Sequence, residues 1–497
     1  MNNCVIHTQD LCLRHKLEMR IVSQSEPRKM HMNRVKYEIR EWGKMRIKKI
    51  SRKLKIVIVS ILVAIAIGIT VFTCLGKKPE TGVKTLTVYY VKNTAYFEDA
   101  LTLYKQLNTK IVLNLVAFEK EEELSEKLAT DMATDTGPDV ILLSDSTTLD
   151  VYKSCKGDNF ADLSSYFSKD KTYTDDKYFK NVIENMKTDG KQYIVPFTFN
   201  FTAYGMKKSV ADKLQIKNFD SPMNYTDFMN NVLSYQKKLA EMEDNEGPAV
   251  TSIGYGTGAS AGPMGPTMKS MGINMIDENG DITITKSEFQ SISSVLKELV
   301  DQSKKISESS VAGLARYGLA SSYFYNGPVP VFFPILSSML DSNYNDSLIF
   351  TGVPSTGEAK GYNASIKTFG VANNASKSKK EDYQLLKYMM DYNYKLDFWA
   401  GFGMSVNKKG FDDIYYELKH GNKRYDFGGN EYMTEPWSEE TEGYYDNLAN
   451  NIVTSSFPNI KVEDIMFENM KDYYMGTAEF DSCYDKMISQ LKLYAQE

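Results

Sequence analysis

Cysteine and histidine are scarce in this sequence, and their scarcity excludes several kinds of site. Of 497 residues, five are cysteines, and no two of them form a Cys-x-x-Cys pair. Neither a zinc site nor a disulfide framework is indicated, although Cys155 and Cys483 could pair in an oxidising compartment. Only His420 lies beyond residue 31 among the four histidines, and no HExxH, Walker A or Rossmann motif is present. We therefore expect no metal ion and no cofactor.

Positive charge is also scarce outside the N-terminal region. Residues 1–74 carry 15 Lys and Arg against 5 Asp and Glu, whereas the remaining residues carry 44 against 59. The body of the protein is thus acidic and has no basic stripe, which argues against a nucleic-acid partner. The positive charge lies beside one apolar segment, and this arrangement is typical of a membrane signal or anchor.

That apolar segment, Ile56–Cys74, runs for 19 residues without a charge and follows a cluster of Lys and Arg. Residues 45–74 are therefore predicted to be a secretion signal or a membrane helix. Cys74 resembles the lipidated cysteine of a bacterial lipoprotein signal, although Phe72 and Thr73 depart from the small residues of that pattern. Both alternatives place the body outside the cell. The polar residues 1–44 are either a cytoplasmic tail or the product of a start site assigned too far upstream.

After a polar linker at residues 75–83, strand and helix patterns alternate. Leu86–Tyr90, Ile111–Phe118 and Asp139–Leu143 have the apolar character of strands, and a helical pattern separates each from the next. Such a βαβαβ order predicts a parallel sheet, and ligands bind beyond the carboxyl ends of its strands. The first ligand-binding candidates therefore follow from position: Tyr89, Tyr90, Ser144, Asp145 and Ser146.

Two tryptophans lie in the body and are candidates for stacking on a ligand ring. Trp399, with Phe402 close behind it, follows a helical pattern, so it either faces a cleft or packs in the core. Trp437 follows a proline in a polar stretch, where an exposed aromatic ring is unusual. A ligand contact and ordinary packing are both open for Trp437.

Residues 258–262 match the GxSxG pattern of hydrolases, with Ser260 at its centre. That elbow requires a preceding strand and a following helix, together with a later histidine. The surrounding residues are rich in glycine and contain no apolar strand, so a loop is the stronger interpretation.

Several stretches resemble, in order, segments of the family 1 extracellular solute-binding proteins, the group that includes maltose-binding protein. They are Ala129–Leu143, Asp189–Met206, Met223–Phe228, Phe350–Ser376 and Gly403–Lys409. The resemblance implies an α/β fold of the type II periplasmic-binding-protein kind, in which two lobes joined by three crossing segments close on a ligand by hinge motion. The first lobe would comprise residues 84–198 and 365–403, and the second would comprise residues 199–364 and 404–497.

Further ligand-binding candidates are implied by the resemblance, on the crossings and on the second lobe. They are Phe199, Asn200, Tyr204, Phe332, Phe333, Tyr362 and Asn363. The sequence departs from the family at two places, since Leu143 occupies the position of a first-lobe tryptophan and Gly327–Ser338 contains no tryptophan.

The function implied by the resemblance is capture of a solute without catalysis. We expect an extracellular substrate-binding protein of an ABC importer that binds a mono- or oligosaccharide and delivers it to permease subunits. It would be anchored on the outer face of the cytoplasmic membrane. One alternative is a ligand-binding sensor subunit for a membrane receptor, and another is a surface carbohydrate hydrolase.

Overall fold

The structure of the protein is a computed structural model. Contacts divide the chain into two units, Met1–Gly82 and Val83–Glu497, and all the described residues belong to the second. The described residues are 83–92, 94, 96–134, 136–213, 215, 222–224, 227–228, 230–231, 234, 238, 251–252, 275–276, 281–303, 324–328, 347–352, 361–392, 403–421, 424–427, 430–433, 436–437, 439–457 and 459–496.

Strands and helices alternate through much of the second unit. The strands are β1 (Lys84–Val91), β2 (Ile111–Phe118), β3 (Val140–Ser144), β4 (Val195–Asn200), β5 (Thr202–Lys207), β6 (Thr251–Ser252), β7 (Phe324–Pro328), β8 (Leu348–Gly352), β9 (Tyr362–Ala372), β10 (Met404–Ser405), β11 (Arg424–Phe427), β12 (Asn430–Met433) and β13 (Ile452–Ser456). The helices are α1 (Phe97–Leu107), α2 (Glu121–Met132), α3 (Val151–Lys156), α4 (Ser164–Lys169), α5 (Lys180–Glu184), α6 (Lys208–Lys213), α7 (Lys286–Ser303), α8 (Lys379–Asp391), α9 (Lys408–Lys419), α10 (Glu439–Asn450), α11 (Ile460–Met475) and α12 (Phe480–Gln496).

A seven-stranded sheet forms the first part of the fold, in the order β10-β4-β9-β3-β1-β2, with β13 beside the start of β9. β1 is parallel to β2 and β3, whereas β9 runs antiparallel to β3 and β4. β3 is buried along its whole length, as expected of an apolar strand covered on both faces. Because β1, β2 and β3 are parallel, their carboxyl ends meet at one edge of the sheet.

Two helices cover opposite faces of these parallel strands. α1 buries Phe97, Ala100, Leu101 and Tyr104, the spacing of one helical face. α2 contacts the other face, where the Tyr89 hydroxyl of β1 donates to its Asp131. The βαβαβ unit predicted from the sequence is confirmed.

A second, four-stranded sheet has the order β6-β7-β5-β8. β4 ends at Asn200 in the first sheet and β5 begins at Thr202 in the second, so the chain passes from one sheet to the other at the buried Phe201. β8 of the second sheet ends at Gly352, and β9 of the first sheet begins at Tyr362. The described residues therefore form a mixed α/β fold built mainly on these two sheets, and β11 and β12 pair antiparallel as a separate two-stranded sheet.

Two short strands late in the chain extend the first sheet. β10 pairs antiparallel with β4, and β13 pairs parallel with β9. The boundaries proposed for the two lobes stay a prediction.

The C-terminal helices pack against one another and against α7. The Asn459 side chain caps α11 by accepting from the Val462 amide, and Gly476, with a φ of 75°, caps its C-terminal end. Phe289 of α7 contacts the ring of Tyr484 of α12, with ring centroids 5.7 Å apart. α12 buries Phe480, Tyr484, Met487 and Leu491 on one face.

Within the part of the chain that the structure describes, no helix has both the length and the hydropathy needed to cross a membrane. The predicted tail, residues 1–44, and the predicted signal or anchor, residues 45–74 with Cys74, lie outside the described residues.

Candidate ligand-binding site

Tyr89 and Tyr90 lie near the carboxyl end of β1, and both are buried, at 6% and 5% exposed. The Tyr89 hydroxyl donates to Asp131 at 2.6 Å, and its ring lies edge-on to Phe118. Burial raises the pKa of Tyr89 to about 12, with help from the hydrogen bond to Asp131. The Tyr90 hydroxyl donates to Glu98 at 3.4 Å. Both rings pack within the sheet layers, and their role as ligand contacts stays a prediction.

The loop after β3 brings polar groups together at the same edge of the sheet. The Ser144 hydroxyl is buried and donates to Glu121 at 2.8 Å, and the Ser146 hydroxyl lies 2.7 Å from it. Glu121 opens α2 directly after β2, which explains how it reaches this loop. Burial raises the pKa of Glu121, the hydrogen bond from Ser144 opposes that rise, and the charge of Asp145 adds to it.

Asp145 forms an ion pair with Lys367 of β9, and the loop backbone is fixed to the same strand. The Asp145 amide donates to the Lys367 carbonyl at 2.9 Å. The side chains of Lys367 and Asp145 are 15% and 23% exposed, so the pair is largely withdrawn from water. The pair therefore ties the candidate loop to the central strand of the first sheet.

Replacing Lys367 with methionine is expected to lower the free energy of unfolding by about 1–2 kcal/mol, because a largely buried Asp145 loses its counter-charge. Lys92→Met is the matched control. Lys92 pairs with Glu119, but both side chains are exposed, and such pairs contribute about 0–1 kcal/mol. Urea denaturation of both variants measures their losses in the free energy of unfolding. Equal losses would contradict the conclusion that the Asp145–Lys367 pair stabilises the fold more than an exposed pair does.

The candidates on the first passage between the sheets are held in the core. Phe199 is fully buried, and its ring packs against those of Phe179 and Phe411, with centroid distances of 5.6 Å and 6.3 Å. Asn200, next to it, is buried as well. Tyr204 lies on β5, in register with Asn326 of β7 and Thr351 of β8.

Tyr362 and Asn363 open β9 and are also buried. The Tyr362 hydroxyl accepts a hydrogen bond from the Asn447 amide at 2.9 Å. The Asn363 amide donates to Ser456 at 3.0 Å, and its oxygen accepts from Thr454 at 3.0 Å. In this arrangement both side chains join β9 to elements near the C-terminus.

Trp437 is partly buried and stacks on Tyr445 of α10, with ring centroids 4.0 Å apart. Its amide donates to the carbonyl of Lys419 at 2.9 Å. The stacking on Tyr445 is a packing contact, and the role of Trp437 as a ligand contact stays a prediction. Four other candidates lie outside the described residues: Phe332, Phe333, Trp399 and Phe402.

Other chemistries have little support in the described residues. There, no group of three or more His, Cys, Asp or Glu is arranged to hold a metal ion. Cys155 and Cys483 are both buried and unpaired with each other. Ser260 of the GxSxG pattern lies outside the described residues, and His420 is exposed with its ring 3.8 Å from that of Tyr416.

The structure also shows polar groups that the sequence did not single out. Glu121 and Lys367 contact the candidate loop through side chains that belong to α2 and β9. Position provided one signal, because Glu121 follows β2 at the carboxyl edge where ligands bind. Lys367 had no such signal, since only the antiparallel pairing of β9 with β3 brings it to the loop.

Comparisons with known proteins agree with this architecture. A family model described as bacterial extracellular solute-binding protein matches residues 90–392. One similar solved structure is the sugar-binding protein MalE from Xanthomonas citri, with 12% identity, coverage of 83% of this chain and 97% of that chain, and a TM-score of 0.54. Another is a sugar transporter from Rhizobium etli in an open conformation, with 14% identity, coverage of 82% and 99%, and a TM-score of 0.52.

A third similar structure is an extracellular solute-binding protein family 1 from Alicyclobacillus acidocaldarius. Its identity is 12%, the match covers 84% of this chain and 100% of that chain, and the TM-score is 0.52. A search of curated proteins finds no match. At such identities the structural likeness establishes the fold alone, whereas the family match spans more than half of the chain. The protein therefore belongs to the family 1 bacterial extracellular solute-binding proteins of ABC transporters.

Proposed function

We propose that this chain captures a carbohydrate between two lobes outside the cell and delivers it to the permease of an ABC importer. The observation that carries the proposal is the passage of the chain from one sheet to the other at Phe201, within one residue of Asn200 and Thr202. A junction between two α/β parts is where hinge closure and ligand binding commonly occur. Closure would be stabilised by the ligand, which binds the closed state better than the open one.

Three considerations support a sugar as the ligand. The similar structures include a sugar-binding protein from Xanthomonas citri and a sugar transporter from Rhizobium etli. The body of the chain carries 44 Lys and Arg against 59 Asp and Glu, so its field favours a neutral or cationic ligand over an anionic one. The hydroxyls of Ser144 and Ser146, beside Glu121, are groups that hydrogen-bond sugar hydroxyls.

Anchoring to the outer face of the membrane is part of the proposal. It rests on the charge-free run Ile56–Cys74 and the basic residues before it. Either Cys74 carries a lipid or the run stays as an uncleaved helix. The mass of the membrane-extracted chain distinguishes the two forms.

A sugar that binds this protein is expected to raise its unfolding temperature. A ligand that binds only the native state at 100 times its Kd adds about 2.7 kcal/mol to the free energy of unfolding. The measurement is a thermal-shift screen of the full chain against glucose, galactose, xylose, maltose, cellobiose, lactose, raffinose and maltotriose. Amino acids, short peptides and polyamines serve as controls, and chromatography of the incubated sugars checks that none is hydrolysed.

A shift with one sugar class, without hydrolysis, supports the proposal and identifies the substrate. A shift with a control class alone would contradict the sugar assignment while leaving the binding-protein family intact. Release of hydrolysed products would contradict the assignment as a binder without catalysis.

A further inference from the structure

Three side chains at the end of β3 form a hydrogen-bonded chain that leads from the interior to the surface. Glu121, the first residue of α2, accepts from the buried Ser144 hydroxyl at 2.8 Å. The Ser144 oxygen lies 2.7 Å from the hydroxyl oxygen of Ser146, which is exposed. We call this chain, Glu121–Ser144–Ser146, the serine relay.

The charge of Glu121 fixes the direction of every hydrogen bond in the serine relay. An ionised carboxylate only accepts hydrogen bonds, and a serine hydroxyl has a single proton to donate. Ser144 therefore donates its only hydroxyl proton to Glu121, and its oxygen can only accept a hydrogen bond from Ser146. Ser146 in turn donates its hydroxyl proton to the Ser144 oxygen. Toward solvent it presents lone pairs alone, so its outer face is an acceptor.

We propose that Glu121 acts through the serine relay to make Ser146 a hydrogen-bond acceptor for the ligand, which must donate a hydroxyl proton there. This inference rests on the proposed function. Glu121 is a positioning residue, since one carboxylate oxygen bonds Ser144 and the other is buried. The ligand class that fits is a sugar with a free hydroxyl at this position, and the corresponding deoxy or O-methyl sugar lacks the required proton.

Protonation of Glu121 would reverse the relay. A neutral carboxyl can donate to Ser144, which then donates to Ser146, and Ser146 becomes a donor toward the ligand. The charged groups around Glu121 are Glu122 on its own helix and Asp145 from the loop, and Asp145 is itself paired with Lys367. Because the pKa of Glu121 is raised, chiefly by burial, we expect the reversal at a higher pH than for an ordinary glutamate.

The test compares four variants of the full chain in detergent, with binding measured by calorimetry at pH 7.5 and pH 5. The probe is the sugar that binds the wild type most tightly among glucose, galactose, xylose, maltose, cellobiose, lactose, raffinose and maltotriose. Ser146→Ala removes the acceptor and Ser144→Ala interrupts the relay, so each should weaken binding about three- to tenfold at pH 7.5. Thermal unfolding without sugar checks that each variant is folded.

The pH profile separates positioning from a merely structural role. Glu121→Gln retains an oxygen that can accept from Ser144 but cannot titrate, so we expect near-normal affinity at pH 7.5 and no loss of affinity at pH 5. Glu122→Gln is the matched control, because it removes the same charge from the next residue of α2, which is exposed. It should bind with wild-type affinity at pH 7.5 and still lose affinity at pH 5, although less than the wild type, because Glu122 is one of the charges that raise the pKa of Glu121.

Two results would overturn the inference while leaving the proposed function in place. One is wild-type affinity in Ser146→Ala, and the other is an unchanged loss at pH 5 in Glu121→Gln. If the wild type binds none of the eight sugars, the proposed function itself is overturned, and the two failures are therefore distinguishable.

Discussion

Replacing Asp382 with asparagine is expected to stabilise the protein at pH 8 by up to about 4 kcal/mol. Asp382 is 0% exposed in α8, and burial raises its pKa to about 7. The charges of Asp139 and Glu381 add to this rise, whereas the nearby Ser376 hydroxyl and the charge of Lys379 oppose it. A rise from the usual value of about 4 to about 7 corresponds to about 4 kcal/mol against the ionised form.

The sign of the effect follows from the direction of the shift. Because the pKa of Asp382 is higher in the folded than in the unfolded chain, its stabilising contribution is full below about pH 4 and is lost as the pH rises through about 7. Asparagine does not titrate, so the advantage of the variant should grow from pH 5 to pH 8. Guanidinium denaturation at pH 5 and pH 8 measures the difference in the free energy of unfolding between the variant and the wild type. A difference that is the same at both pH values would contradict a raised pKa of Asp382.

Asp170 provides a matched control with the opposite expected sign. Burial opposes its ionisation, but hydrogen bonds from Lys387, Thr172 and Tyr383 outweigh burial and hold its pKa well below its usual range. Tyr383 and the Thr172 amide donate at 2.8 Å and 2.9 Å. Asp170→Asn should therefore lower the free energy of unfolding at neutral pH by about 2 kcal/mol, with a smaller loss in acid. If both substitutions changed the free energy of unfolding in the same direction, the opposite pKa shifts assigned to the two aspartates would be contradicted.

The contrast between these two aspartates shows where sequence reasoning stops. Both aspartates lie among polar residues. Nothing in the neighbouring sequence indicates that the pKa of Asp382 is raised and that of Asp170 is lowered. Lys387, which pairs with Asp170, is 217 residues away in the chain. Apolar runs of the kind that predicted β1, β2 and β3 report local periodicity, whereas the environment of a carboxylate depends on partners that only the assembled sheet brings near.

The same limit applies to the candidate site. The loop Ser144–Ser146 could be placed at the carboxyl edge because parallel strands expose their ends together. The burial of Phe199, Tyr362 and Asn363 could not be derived in this way, since their contacts come from β13 and from helices near the C-terminus. Motif order indicated the family, but a motif does not specify which face of a strand its residues occupy.

Replacing Gly403 with alanine is expected to lower the free energy of unfolding by about 2–5 kcal/mol. Its φ is +81°, a left-handed conformation that costs an L-residue about 1–2 kcal/mol. A Cβ atom would also lie 2.5 Å from the carbonyl oxygen of Phe199 and 2.8 Å from the side-chain oxygen of Asn200. The Phe199 carbonyl belongs to β4, which pairs with β10 directly after Gly403, so it cannot move aside without disturbing the sheet, and overpacking adds about 1–3 kcal/mol.

Two other glycines separate these contributions. Gly190 has a φ of +73°, and no atom lies within 4 Å of the position that a Cβ atom would occupy there, so Gly190→Ala should show the conformational cost alone, about 1–2 kcal/mol. Gly443 lies within α10 and also has open space, so Gly443→Ala should stabilise by about 0.5–1 kcal/mol. Denaturant unfolding of the three variants tests whether Gly403→Ala loses most, Gly190→Ala loses less and Gly443→Ala gains stability. If Gly403→Ala loses no more than Gly190→Ala, close packing of β10 against β4 is not what requires glycine at position 403.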